Sequence, residues 1–159
     1  MFYQVRGPVP DEPNVDSFER HRVVLSQLNP DEILRIRDVT RDLEDSGFAQ
    51  PVAYLIAPSP DSRLVVAAWR HTSGETIARA LLYPVTPTSG PESVIFVSAF
   101  EGDSFLISAA APFAESAPAN VRLHRFLGAS IETLWDSHRR KLALETTRQA
   151  VAIQSSPDV

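Results

Sequence analysis

Between Pro51 and Ala111 the chain is a succession of short β-rich runs with a turn after each one. Val52–Ala57 is apolar throughout and is closed by Pro58-Ser59-Pro60-Asp61-Ser62. Proline donates no ladder hydrogen bond, and Asp and Ser stabilise turns. Leu64–His71 and Thr76–Tyr83 flank Thr72-Ser73-Gly74-Glu75, where Gly74 supplies the positive φ of a tight hairpin. Three prolines and Gly90 make residues 84–91 a loop. Ser93–Phe100 and Ser104–Ala110 follow, joined across Glu101-Gly102-Asp103. No helical crossover fits between these runs, so they predict a five-stranded antiparallel meander rather than a parallel sheet.

Helical sequence brackets the meander. Asn29 is an N-cap followed by Pro30 at the first helical position and by Asp31 and Glu32 in the first turn. Ile33, Ile36, Val39 and Leu43 form one stripe, and Gly47 stands where a helix ends. This predicts a helix over residues 30–46, with Phe48 folding back on its cap. Gly47→Val is expected to cost more than Gly90→Val, which falls in a loop. Upstream, Asp16 and Glu19 suggest a capping box for an earlier helix carrying Phe18, Leu25 and Leu28, although Val23-Val24-Leu25 also permits a strand. Residues 1–14 read as extended, with Phe2–Arg6 a possible edge strand. After a Pro/Ala loop, Asn120 reads as the cap of a long C-terminal helix with Leu127, Ile131, Leu134, His138, Leu142 and Glu145 on one stripe. That helix is expected to reach about Ala150, with a frayed tail over 151–159.

The 159 residues suit one α+β domain in which helices cover one face of a single antiparallel sheet. Helix–five strands–helix is similar to profilin-like and secretion-chaperone-like small domains. With an N-terminal strand and two helices it is similar to a helix-grip fold. Such likenesses carry no function. Residues 11–45 carry a net charge of −5 and residues 121–150 a net +3, which suits two helical regions lying side by side.

Chemistry is harder to find. Without cysteine there is no disulfide, thiolate nucleophile or thiolate metal site. The four histidines, His21, His71, His124 and His138, lack the spacing of a helical metal site. If His124 and His138 shared the C-terminal helix they would stand about 21 Å apart. No G-x-S-x-G, G-x-G-x-x-G or Walker loop occurs, and Ser73 beside His71 carries no catalytic pattern. His138, set in an apolar stripe, reads as a packed residue bonded to a strand carbonyl or an acid. His138→Gln is then expected to leave any partner binding intact. No catalytic residue, cofactor or metal ligand is assigned, and the sequence points away from an enzyme.

A net charge of −5 disfavours nucleic acid as a partner, and the short run Phe105–Ala114, interrupted by Pro112, cannot span a membrane. The N-terminus lacks an apolar signal region, which with the absence of cysteine suggests a cytoplasmic setting. The partner expected is therefore another protein or a second copy of the chain, as for a chaperone, immunity protein or adaptor.

The hairpin shows where that partner would bind. A two-residue turn at Ser73-Gly74 sets Trp69 opposite Ala78, Ala67 opposite Ala80 and Val65 opposite Leu82 on one face. The other face pairs Arg70 with Ile77, Ala68 with Arg79, Val66 with Leu81 and Leu64 with Tyr83. The second face is too apolar for solvent, so Leu64, Val66, Arg70, Arg79, Leu81 and Tyr83 are the candidate partner-binding residues. An N-terminal segment folded across it is the internal alternative. The rival reading is a small-molecule site or enzyme pocket between sheet and C-terminal helix, at Trp69, Trp135 and His138.

Overall fold

The computed structural model describes residues 21–59, 62–84, 94–110 and 117–154. The β-rich runs form one sheet in which spatial order repeats chain order: β1 (Arg22–Val23), β2 (Val52–Ser59), β3 (Ser62–Arg70), β4 (Thr76–Leu82), β5 (Val94–Phe100), β6 (Ser104–Ala109) and β7 (Val121–Arg125). Every neighbouring pair is antiparallel except β6–β7, which is parallel. The meander is thus present with an extra strand on each side. Two helices, α1 (Pro30–Glu44) and α2 (Ile131–Gln154), pack against the sheet and against each other.

α1 forms for the reasons its sequence gives. Asn29 Oδ1 accepts from the Glu32 amide at 2.9 Å, and the Glu32 carboxylate accepts from the Asn29 amide at 3.0 Å, closing a reciprocal cap. The same carboxylate takes Nε and Nη2 of Arg63 at 2.6 and 2.9 Å, tying the start of α1 to β3. This contact with Arg63 holds the Glu32 carboxyl below its ordinary pKa, although burial pushes the other way.

At the other end, the Gly47 amide donates to the Glu44 carbonyl and the Phe48 amide to that of Leu43, with Gly47 at φ +86°. Phe48 then turns into the core, edge-on to Trp135 at 4.9 Å between ring centres. A Cβ at Gly47 would lie 3.1 Å from His71 Nε2, whereas one at Gly74 (φ +80°) would meet nothing within 4 Å. Both positions resist a side chain through backbone strain of about 1–2 kcal/mol. Gly47→Val is therefore expected to lower the thermal midpoint further than Gly74→Val; equal shifts would contradict the crowding at Gly47. Gly90, set against Gly47 above, lies outside the described residues.

Two expectations need correction. The expected helix ending near Leu28 is, in its described part, strand β1 followed by a 3-10 turn over Leu25–Gln27. The β-branched pair Val23-Val24 favours extended backbone, and Val23 joins Ala53 of β2. The C-terminal helix does not start at Asn120. Val121 and Leu123 alternate with Arg122 and His124, a period of two, and this segment is β7. Gly128 at φ +72° separates it from α2, whose cap is Ser130, its hydroxyl accepting from the Thr133 amide at 3.2 Å. Leu127, placed in the helical stripe by its spacing, is instead 71 % exposed. The stripe itself is real: Leu134, Trp135, His138 and Glu145 are buried, and the helix runs on to Gln154. The extended segment 1–14, the edge strand at Phe2–Arg6 and the tail beyond Gln154 fall outside the described residues.

The core lies between the helices and one sheet face. Ile36, Val39 and Leu43 of α1 and Leu134 and Trp135 of α2 meet Trp69, Ala78, Ala80 and Phe96 of the sheet. The alanines opposite and beside Trp69 leave room for the indole under α1.

Candidate interaction surface

The β3–β4 ladder runs from Val65–Leu82 to Arg70–Ile77 in the register expected from the turn. The expected two-residue loop is corrected: His71 bonds back to Thr76, so the connection is four residues wide, Thr72–Glu75, and the register survives because the centre is the same. One face of this hairpin is the core. The other carries Leu64, Val66, Arg70, Arg79, Leu81 and Tyr83, the last just past the end of the described ladder. Leu81 is 38 % and Tyr83 57 % exposed; Arg70 and Arg79 are exposed, and Leu64 and Val66 half-buried. α1 and α2 lie on the opposite face, as the burial of Val65, Ala67 and Trp69 shows.

Register carries this outer face across the whole sheet. One row runs Arg22, Tyr54, Val66, Leu81, and the next Ala68, Arg79, Ile95, Ala109, Arg125. A third runs Arg70, Ile77, Val97, Ile107, Leu123. Ile77, Ile95, Val97, Ile107 and Leu123 are all half-buried, neither packed under a described helix nor fully solvated. A one-sided antiparallel sheet normally turns polar residues outward. The β5–β7 part of this surface lies beyond the hairpin, and Val94–Phe100 signals it by being apolar at both alternating sets of positions.

The rival pocket residues lie on the inner face. Trp69 and His138 are 0 % exposed, and Trp135 is buried against Phe48 and Phe96. Trp135 and His138 stack with ring centres 5.9 Å apart. His138 sits in a chain of hydroxyls. Thr76 Oγ1 lies 2.7 Å from Ser98 Oγ, Ser98 Oγ 2.9 Å from His138 Nε2, and His138 Nδ1 2.9 Å from Ser108 Oγ. Its partners are thus two serines rather than a carbonyl or an acid. Among the described residues every buried side-chain polar atom is bonded.

Burial, and secondarily the charge of His124, pushes the His138 pKa down to about 4. His124 reaches this neighbourhood from β7, where it pairs with Ser108. The expected 21 Å separation along one helix is therefore corrected. His124 is itself lowered, by burial first and then by Lys141.

A groove of about 740 Å³ opens elsewhere, where the end of α1 meets the start of α2; Asp42, Asp45, Glu132 and Asp136 line it with Arg41 and Arg139. No trio of His, Cys, Asp or Glu among the described residues is arranged to hold a metal ion. No described helix is long and apolar enough to cross a membrane. The chain matches no family model, no curated protein and no solved structure.

Proposed function

We propose that this chain is a non-enzymatic protein-interaction domain whose outer sheet face receives another polypeptide. The carrying observation is the apolar face opposite the helices, with Leu81 and Tyr83 its most open large apolar side chains on β4 and its end. Contiguous apolar surface of this kind on a folded domain marks an interaction site. Arginine and tyrosine, present at Arg70, Arg79 and Tyr83, are residue types enriched where binding energy concentrates. A cytoplasmic setting belongs to the same proposal. The rival small-molecule reading has weaker support, because Trp135 and His138 stack on each other and Trp69 is wholly buried, bonded to Thr40.

The test is the double substitution Leu81→Glu and Tyr83→Ser. Neither side chain belongs to the buried core, so the variant is expected to keep its thermal midpoint while losing partner binding or self-association. Light scattering reads the mass, and calorimetric titration reads the affinity for any partner captured by the wild-type chain. A folded variant with unchanged mass and unchanged affinity would overturn the proposal.

A further inference from the structure

Among the described strand residues, charge on the outer face has one sign. Alternation along the seven described strands assigns it Arg22 on β1, Arg70 on β3, Arg79 on β4 and Arg125 on β7. No aspartate or glutamate occupies any outward position of these strands. This is unexpected in a chain of net charge −5, whose 20 acids outnumber its 15 bases. The buried acids lie on the helix side: Glu32 pairs with Arg63, and Glu145 with Arg122 and Arg148. Arg70 and Arg79 are exposed and make no ion pair among the described residues. They stand diagonally adjacent, Arg70 opposite Ile77 and Arg79 opposite Ala68, with Ile95 and Val97 beyond them.

Resting on the interaction surface proposed above, we infer that its partner is an acidic amphipathic polypeptide segment, with aliphatic side chains seated on the Leu81–Ile95–Ile107 diagonal and carboxylates meeting Arg70 and Arg79. Guanidinium groups bind carboxylates through two parallel hydrogen bonds, and complementary charge fixes the register of an otherwise featureless aliphatic contact. The small side chains of Ala68 and Ala99 let a backbone come close.

The composition of the face separates this partner from two others. Nucleic acid binds to stripes of cations interleaved with aromatic stacking platforms, whereas this face is mainly aliphatic within an acidic chain. An anionic membrane contributes about 1 kcal/mol per basic residue near its surface, so even the four arginines of this face supply only roughly 4 kcal/mol, a millimolar affinity, for a net-negative protein.

The full chain is titrated with three fluorescent peptides of about 18 residues, long enough for five helical turns. One has a leucine face flanked by glutamate, the second has lysine in place of glutamate, and the third has serine in place of leucine. The glutamate–leucine peptide is expected to bind at least roughly tenfold more tightly than either control, a difference of about 1.4 kcal/mol. Arg70→Glu with Arg79→Glu should reverse the preference between the first two peptides, and Leu81→Glu with Tyr83→Ser should abolish binding of both.

Equal affinity for the glutamate and lysine peptides, lost in the Leu81/Tyr83 variant, would overturn the acidic partner and keep the interaction surface. Binding that neither double variant changes would overturn both. Failure of every peptide to bind the wild-type chain, or binding to phosphatidylserine vesicles or single-stranded RNA in their place, would overturn the acidic partner. Binding of the acidic peptide only after Asp11, Glu12, Asp16 and Glu19 are changed to lysine would do the same, by assigning the arginines to the chain's own N-terminal acids.

Discussion

Trp69→Ala is expected to cost about 3–5 kcal/mol of folding free energy, the range for truncating a fully buried aromatic. The neighbours cannot collapse into the space, because the sheet around the indole is built from Ala67, Ala78 and Ala80, all wholly buried. The substitution also removes a polar link: indole Nε1 donates to Thr40 Oγ1 at 2.9 Å, and that hydroxyl donates to the Ile36 carbonyl at 2.7 Å. Thr40→Val isolates the second contribution by leaving the indole N–H buried without an acceptor, at about 1–3 kcal/mol. Urea denaturation of the two variants checks both. A loss below about 1 kcal/mol for Trp69→Ala would mean that α1 does not close over this side chain as described.

His138 makes folding stability depend on pH. Unfolded, the imidazole takes its proton near pH 6.5; folded, only near pH 4. Between those values the unfolded chain binds more protons than the folded one, so stability present at neutral pH is lost as pH falls. The shift corresponds to roughly 3 kcal/mol over the window. His124, also lowered, adds in the same direction. Glu32, whose carboxyl is held low, contributes stability that is lost only at more acidic pH, as the pH falls through its folded-state pKa. Urea denaturation between about pH 7 and pH 5 should therefore show the wild-type free energy falling with pH and His138→Gln falling much less. A flat wild-type profile would mean the imidazole is not held neutral. If the folded His138→Gln variant lost the peptide affinity proposed above, the imidazole would matter to binding as well as to packing.

Local signals in the sequence were sufficient where each element's own residues set its form. Asn29, Pro30 and Gly47 delimit α1 without help from distant contacts. The Ser73-Gly74 centre fixes the β3–β4 register, and that register alone divides core face from outer face. The failures share a cause. Val121–Arg125 has both an alternation of two and, through Leu127 and Ile131, an apparent helical stripe running into α2. Pairing with β6 decides for strand, and the local pattern does not contain that partner. Misplacing β7 also separated His124 from Ser108 and hid the polar neighbourhood of His138. The six-residue strand β6 and Ser98 of β5 gave no sign that their hydroxyls would share one imidazole, because a serine in a strand reads the same whether it faces water or histidine.

The matching of strand order to chain order has a consequence for how the molecule is made. From β2 to β6 each strand can join the one before it by closing a loop of at most eleven residues, which costs less chain entropy than a distant pairing and favours rapid assembly. α2 follows the sheet in the chain and supplies Leu134, Trp135 and His138 to the inner face. During synthesis the growing sheet therefore stands for a time with Phe96 and Leu106 uncovered on one side and Val97 and Ile107 on the other. A ribosome-bound chain at that stage has α1 over Trp69 but a β5–β6 region apolar on both faces, a form exposed to mispairing and aggregation. Synthesis of α2 covers one of those two faces.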